Sequence, residues 1–246
     1  MNGTVAQIVA ITSYANAKLE DNSNYEFKMN NSTAVYCNEI VFIDWVKKNN
    51  LLSIFKTKTA YGSKPIASDF MNWITFLKKE GTKKLFLHYV STSNPQLSDR
   101  MSVGFVGGGG RWLIEAWKGK SSDFWEAKWE VKKPKAKNNK IWSVTYARIA
   151  RDSFVQKNEH SGLKKISKDL KKAITACYMF SKKHSLANWD TFFYNALICL
   201  ENGNSDFQTI YHKDIVPISK FPEEAIKIIF ATQSAWVFGG MGSWND

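Results

Sequence analysis

The chain is poor in cysteine and has no apolar run long enough to cross a bilayer, and both shortages restrict what it can be. Its 246 residues include three cysteines that are odd in number and widely spaced: Cys37, Cys177 and Cys199. They fit neither a zinc motif nor a disulfide framework, so we expect synthesis in a reducing, cytosolic compartment. The N-terminus also lacks the basic start of a secretory signal, and we expect no membrane partner.

Arginine is almost absent, although the chain is strongly basic. The formal net charge is +12, yet only four of the 34 basic residues are arginines: Arg100, Arg111, Arg148 and Arg151. Excess positive charge predicts an acidic partner such as nucleic acid, nucleotides, an anionic surface or an anionic patch on the same molecule. Proteins that read base sequence rely on arginine for bidentate contacts, so a lysine-dominated surface argues against that function. Lysine charge can also be titrated away near pH ~10.

Composition and element order predict one globular α+β domain over residues 1–246. Hydrophobic residues make up 44% of the chain and aromatic residues 14%, which excludes a disordered protein. We expect an antiparallel β-sheet or sandwich core flanked by helices. The core should occupy about residues 1–150, a helical section about residues 161–235, and a glycine-rich tail residues 237–246.

The first 60 residues give mixed signals. Residues 5–13 and 25–29 read as two strands around a polar turn. Residues 38–48 fit either a helix or a buried strand, and we prefer the helix.

The following helix and strand are better defined. Ser68 can cap a helix over residues 68–79, Gly81 can end it, and residues 85–90 then read as a strand. The apolar residues of this helix share one face: Phe70, Trp73, Ile74 and Leu77.

The stretch from residue 111 to residue 151 predicts three strands joined by polar turns. In its second strand, apolar residues alternate with charged ones, which is the period of a half-buried strand. The apolar set is Trp125, Ala127, Trp129 and Val131. No catalytic set is visible in this block.

The strongest helix is predicted over residues 161–184, with Ser161 as its cap. One face is apolar and consists of Leu163, Ile166, Leu170, Ile174, Cys177 and Phe180. The opposite face is basic and consists of Lys164, Lys165, Lys168, Lys171 and Lys172. A basic helix face is usually just solvated, but these lysines are our candidate contacts for anions or for neighbouring molecules in a lattice.

Two further helices are predicted near the C-terminus. Asp190 should cap a helix that Gly203 ends, and another should begin at Pro222. Glu223 and Glu224 fall in its first turn, where the helix dipole favours acidic side chains.

Candidate catalytic motifs are weak. The glycine run 107–110 follows a strand as a phosphate loop would, but no helix follows it, so a flexible hairpin or bulge fits better. Glu126 and Lys128 form the ExK triplet of metal-dependent nucleases, which also needs an aspartate on a neighbouring strand. Asp123 is too close in sequence, and Asp99 falls in a loop.

The histidines give no metal or nucleophile site. The four are scattered without metal-ligand spacing: His88, His160, His184 and His212. No cysteine has a neighbouring histidine, and no nucleophile motif occurs. We therefore predict no catalytic residue, no metal and no enzymatic activity.

Three segments give the chain a resemblance to the cypovirus polyhedrins, viral proteins that crystallise inside infected insect cells. Trp125, Glu126 and Ala127 precede a basic strand, a turn and an aromatic strand, as in that family. Residues 166–184 are similar to its cysteine-containing helix, and residues 3–29 resemble its N-terminal hairpin. The chain differs in two places, because it lacks a projecting helix before the first strand and has an extra section over residues 207–246.

The resemblance implies a structural protein without enzymatic activity. Trimers would pack into the crystalline matrix of occlusion bodies in the host-cell cytoplasm, embed virus particles, and dissolve in alkali. It also implies nucleotides bound between subunits, without assigning residues to them. At pH above ~10, lysine loses its charge and tyrosine gains one, which fits alkaline dissolution.

Two alternatives stay open. One is a basic protein that binds RNA or single-stranded DNA in the cytosol, with tryptophans near basic strands as stacking surfaces. The other is a metal-dependent nuclease that uses Glu126 and Lys128.

Overall fold

The computed structural model describes most of the chain in six segments: residues 3–21, 24–47, 61–90, 111–154, 161–203 and 206–237. The chain forms two compact units. The sheet unit contains Ile11–Val90 and Trp112–Val155, and the helical unit contains the three C-terminal helices and the chain before Ile11. The predicted α+β class is confirmed, while the single domain over residues 1–246 stays a prediction.

The sheet unit is built on one six-stranded sheet rather than a sandwich. Its strands are β1 (Cys37–Lys47), β2 (Tyr61–Ala67), β3 (Lys84–Val90), β4 (Arg111–Trp117), β5 (Ser122–Val131) and β6 (Trp142–Ser153). Their order in the sheet is β2-β1-β6-β5-β4-β3. Strands β1 and β6 run parallel, whereas β1 with β2, β4 with β5, and β5 with β6 run antiparallel. The three strands predicted between residues 111 and 151 are confirmed.

Helix α2 (Phe70–Lys79) contributes the aromatic core of the sheet unit. Its predicted apolar face is buried, and Trp73 stacks on Phe42 of β1 with ring centroids 4.4 Å apart. Trp125 of β5 meets Trp73 edge-on at 5.6 Å. The cap is Asp69 and not Ser68, because the Asp69 carboxylate accepts a hydrogen bond from the backbone N–H of Asn72.

Helix α1 (Gly3–Asp21) replaces the strand predicted over residues 5–13, and residues 25–29 form no strand. The prediction of an N-terminal hairpin, which the resemblance implied, is therefore wrong. The prediction failed because α1 is buried around most of its circumference, so it lacks the polar face that marks an amphipathic helix. A helix thus precedes the first strand, and this helix is buried rather than projecting.

Asn16 of α1 binds the backbone of strand β3 at the edge of the sheet. Its side-chain Nδ2 donates to the carbonyl oxygen of Leu85 at 2.9 Å, and its Oδ1 accepts from the N–H of Leu85 at 2.7 Å. The amide imitates a neighbouring strand, so α1 covers part of an edge that would otherwise expose backbone groups.

We preferred a helix for residues 38–48, but their described part, residues 38–47, belongs to strand β1. The acidic residues of this segment are satisfied across the sheet, since Glu39 and Asp44 pair with residues of β6 and of the turn that precedes it. β-Branched residues at Ile40, Val41 and Ile43 suit a strand.

The helical unit contains α3 (Leu163–Lys183), α4 (Ala187–Asn202) and α5 (Glu223–Ser234). Gly203 ends α4 in a left-handed conformation, and Pro222 precedes α5 as predicted. Two predicted caps are wrong. Gly162 and not Ser161 precedes α3, and α4 starts before Asp190, which lies in its first turn.

Candidate functional site

A buried charge cluster joins β1, β5 and β6. We define it as Asp44, Asp123 and Arg148, whose side chains are at most 4% exposed. The Arg148 guanidinium donates from Nη2 to Asp44 at 2.8 Å and from Nη1 to Asp123 at 2.9 Å. Nη1 also donates to Glu80, the residue after α2, at 2.9 Å. One cation thus meets three carboxylates, and charges buried this deeply need such pairing.

Two more cations neutralise the cluster at its edge. Arg151 donates to Asp44, and Lys118 forms ion pairs with Asp123 at 2.9 Å and Asp152 at 3.0 Å. Burial disfavours the charged Lys118 ammonium, but the hydrogen bonds to both aspartates outweigh it and raise the pKa of Lys118. The same contact lowers the pKa of Asp152.

The cluster holds the sheet together and offers little space for a ligand. Arg148 makes four hydrogen bonds to carboxylates and lies 4.9 Å from the Phe76 ring and 5.8 Å from the Trp125 ring. The guanidinium therefore occupies the place where a metal ion would lie. Within the described segments, no group of three or more His, Cys, Asp or Glu residues could hold a metal. The sequence offered one signal that we did not use, namely two of the four arginines close together on one strand.

A second polar group lies on strands β3, β4 and β5. His88 Nε2 is 2.6 Å from one Glu115 oxygen, and the Ser122 hydroxyl donates to the other at 2.5 Å. The carboxylate separates the histidine from the serine, so His88 cannot accept the Ser122 proton directly. This order differs from that of a nucleophile–base pair.

The segment Trp125, Glu126 and Ala127 is structural. Trp125 is fully buried, and Glu126 lies opposite Leu113 on β4 and Ala147 on β6. Neither partner is acidic, so in the described strand registers no aspartate lies directly opposite Glu126. Its lysine, Lys128, pairs with Glu130 at 3.1 Å.

The basic face of α3 is exposed as predicted. Lys165 pairs with Asp169 at 3.6 Å, and Lys171 pairs with Glu201 of α4 at 2.9 Å. In the described part of the chain, Lys164, Lys168 and Lys172 form no ion pair, and they are the members of the set best placed to meet an anion.

Tryptophan gives little surface for stacking bases. Trp73 and Trp125 are fully buried, and Trp129 packs edge-on against Trp142 at 5.9 Å. Among the described tryptophans, only Trp45 is largely exposed, at 49%. The tryptophans near the basic strands therefore serve mainly to build the core.

Both units expose large apolar side chains. In the helical unit these are Leu163, Ile166, Met179, Phe180, Tyr194, Tyr211 and Ile218. In the sheet unit they are Val35, Tyr36, Trp45, Tyr89, Val90, Val131, Ile149 and Phe154. Single exposed apolar residues are ordinary, whereas a contiguous patch of them marks a surface that contacts other molecules.

The sheet unit also has a cavity of about 380 Å³ with an apolar floor that includes Phe27 and Phe42. The acidic side chains at its rim already have partners. Glu39 accepts from Ser143 and from Lys132, and these hydrogen bonds lower the pKa of Glu39. Asp69 caps α2. The rim is thus part of the local structure and defines no ligand.

Several predicted features lie outside the described residues: the glycine run 107–110, Asp99, Arg100, His160 and the tail beyond Val237. None of the described helices is both long and apolar enough to cross a membrane. No protein-family model, curated protein or solved structure matches the chain.

Proposed function

We propose that this chain is a structural protein that assembles with copies of itself into the matrix of viral occlusion bodies. The observation that supports it best is that each compact unit exposes its own set of large apolar side chains. A three-dimensional array needs more than one contact surface on each protomer, because a single two-fold interface closes at a dimer.

Alkaline dissolution follows from how the cations are distributed. Two of the three described arginines, Arg148 and Arg151, bind the buried charge cluster, where charge persists in alkali. Lysines instead supply most of the exposed positive charge, including the basic face of α3. Raising the pH above ~10 therefore removes surface charge first, and contacts between protomers should fail before the cluster does.

The proposal includes the partners that the polyhedrin resemblance implied. These are further copies in trimers and in a higher-order lattice, embedded virus particles, and nucleotides between subunits. The compartment is the host-cell cytoplasm. Helix α1 is buried around most of its circumference, so we assign the contacts between protomers to other surfaces.

Sedimentation of the purified full-length chain tests the proposal. At pH 7 we expect large assemblies that pellet, and at pH 11 we expect species the size of a protomer or a small oligomer with an unchanged far-ultraviolet circular dichroism spectrum. A monodisperse monomer at high concentration and neutral pH would contradict it.

The basic face of α3 favours a second candidate, binding to RNA or single-stranded DNA. The test is a fluorescent oligonucleotide at low salt, titrated with the wild type and with a Lys164→Gln, Lys168→Gln and Lys172→Gln triple variant. Binding by this face predicts loss of affinity in the triple variant and a steep fall with salt. No affinity of the wild type at low salt would eliminate this candidate.

A further inference from the structure

Helix α3 carries an apolar stripe that its own unit leaves largely exposed. We define the apolar stripe as Ile166, Leu170, Ala173, Cys177 and Phe180. Ile166 is 38% exposed and Phe180 50% exposed, Ala173 is exposed, and the other two are half-buried. His184 continues the stripe, with its ring 4.4 Å from that of Phe180.

The stripe is separate from the face that packs inside the helical unit. Ile174 and Ser181 are the buried residues of α3, and they lie beside the stripe. At about 100° per residue, the stripe and His184 occupy an arc of roughly 80°, and the basic face is centred about 160° away. The lysines of that face therefore point away from anything that contacts the stripe.

The spacing of the stripe matches a helix–helix seam. From Ile166 to His184 the steps alternate between four and three residues, which is the repeat that lets two helices pack along their length. Small residues at Ala173 and Cys177 in the middle of the stripe allow a close approach.

We propose that the stripe pairs with the same stripe of a second copy, with the two α3 helices antiparallel. A two-fold axis at the level of Thr175 places Leu170 opposite Phe180 of the other copy and Ala173 opposite Cys177. Large side chains then meet near the ends and small ones at the axis. This pairing rests on the proposed function, since it supplies one of the contacts that self-assembly requires.

Charge favours this partner and this direction. Asp169 and Lys183 lie on the exposed flank of the stripe, the first about six residues before the level of the axis and the second about eight after it. Antiparallel pairing therefore brings Asp169 of each copy within roughly 3 Å, measured along the axis, of Lys183 of the other. In parallel pairing, the exposed flanks of the two copies would lie on opposite sides of the contact, and Asp169 would stay about 21 Å along the axis from Lys183 of the other copy, so no such ion pair would form.

Disulfide cross-linking tests the geometry. In an Ala173→Cys variant, the new thiol lies opposite Cys177 of the second copy, and mild oxidation with oxidised glutathione should convert most of the protein to covalent dimer. The Thr175→Cys variant is the matched control because Thr175 lies on the basic face, and it should give none. The wild type should also give none, because the two Cys177 residues are offset by about 6 Å along the axis, too far for a disulfide.

A further variant identifies the bond. Adding Cys177→Ala to Ala173→Cys should abolish the cross-link. A cross-link that survives, or one that forms in the wild type, would show parallel pairing and overturn the proposal.

Exchange of charges gives a second, independent measurement. Asp169→Lys should raise the threshold concentration for pelleting at pH 7 and low salt about tenfold, because two attractive pairs become repulsive. Lys183→Asp should do the same, and the double variant should restore the wild-type value. The pairing would be contradicted if neither single variant changed the threshold concentration, or if the double variant kept the raised threshold of the single variants.

The two possible failures are distinguishable. A wild type that never assembles overturns the proposed function together with the pairing. A wild type that assembles, with no cross-link in the Ala173→Cys variant and no effect of charge exchange, overturns only the pairing and indicates that other surfaces or another protein contact α3.

Discussion

Arg148 and Asp44 form a buried ion pair across adjacent parallel strands, with Nη2 of the arginine 2.8 Å from the carboxylate and both side chains 4% exposed. The same guanidinium also binds Asp123 of the neighbouring antiparallel strand. The Arg148 side chain therefore links β1 and β6, the only parallel pair among the described strand registers, to the start of β5.

The ion pair should be essential for stability. Replacing Arg148 with methionine leaves Asp44 and Asp123 buried with fewer cations. We therefore expect the free energy of unfolding to fall by about 3–5 kcal/mol. Urea unfolding at pH 7, monitored by tryptophan fluorescence, measures it.

Arg151→Met is the matched control. Arg151 contacts the same Asp44, but its side chain is 49% exposed. Its replacement should therefore lower the free energy of unfolding by less than about 1 kcal/mol. Equal losses for the two variants would show that burial of Arg148 does not determine the strength of the cluster.

Asn16 should stabilise the edge of the sheet through its two hydrogen bonds to Leu85. Asn16→Leu leaves a backbone donor and acceptor without this partner, and we expect a loss of about 1–3 kcal/mol. Asn16→Asp keeps the acceptor and loses the donor, so its midpoint in urea should fall between those of wild type and Asn16→Leu. A leucine variant as stable as wild type would refute the role of this amide.

Tyr146 should make the fold less stable in alkali. Burial raises its pKa well above the usual value, so the folded protein keeps the proton when the unfolded chain has lost it above pH ~10. The unfolded state then binds fewer protons, and the free energy of unfolding falls as pH rises, by about 1.4 kcal/mol per pH unit from this group.

Urea unfolding curves recorded at several pH values between about 9 and about 11.5 measure how the free energy of unfolding changes with pH. Tyr146→Phe should flatten it, whereas Tyr36→Phe should not, because the Tyr36 side chain is 61% exposed and meets water in both states. Identical slopes in wild type and Tyr146→Phe would mean that another group causes the alkaline decline.

The elements with clean periodicity were predictable from the sequence. Strand β5 and helix α2 each present one apolar face, and the structure buries Trp125 and Trp73 on those faces. The basic face of α3 could be placed in the same way, because its lysines follow the helical repeat and remain exposed.

The predictions were wrong for elements that depend on tertiary contacts and show no clear periodicity in sequence. Helix α1 is buried around most of its circumference, and β-branched residues such as Val5 and Ile8 made it resemble a strand. In β1, the buried position of Asp44 depends on its partner Arg148, which lies 104 residues away in sequence. No local pattern can indicate a pairing of that range.

The surface of α3 was also only partly predictable from the sequence. The apolar residues of α3 were recognised from their spacing, but the sequence could not show which of them the helical unit buries. Ile174 packs inside the unit while Phe180 remains exposed. That difference depends on how α3 lies on its neighbouring helices.

Expression of the full chain in insect cells, followed by light microscopy and a pH titration of the pelleted material, tests the central proposal most directly. We expect micrometre-sized faceted bodies that diffract, persist at neutral pH and dissolve above pH ~10 into folded protein, as lysine and tyrosine ionisation requires. A clear cytoplasm with all of the protein soluble and monomeric would contradict it.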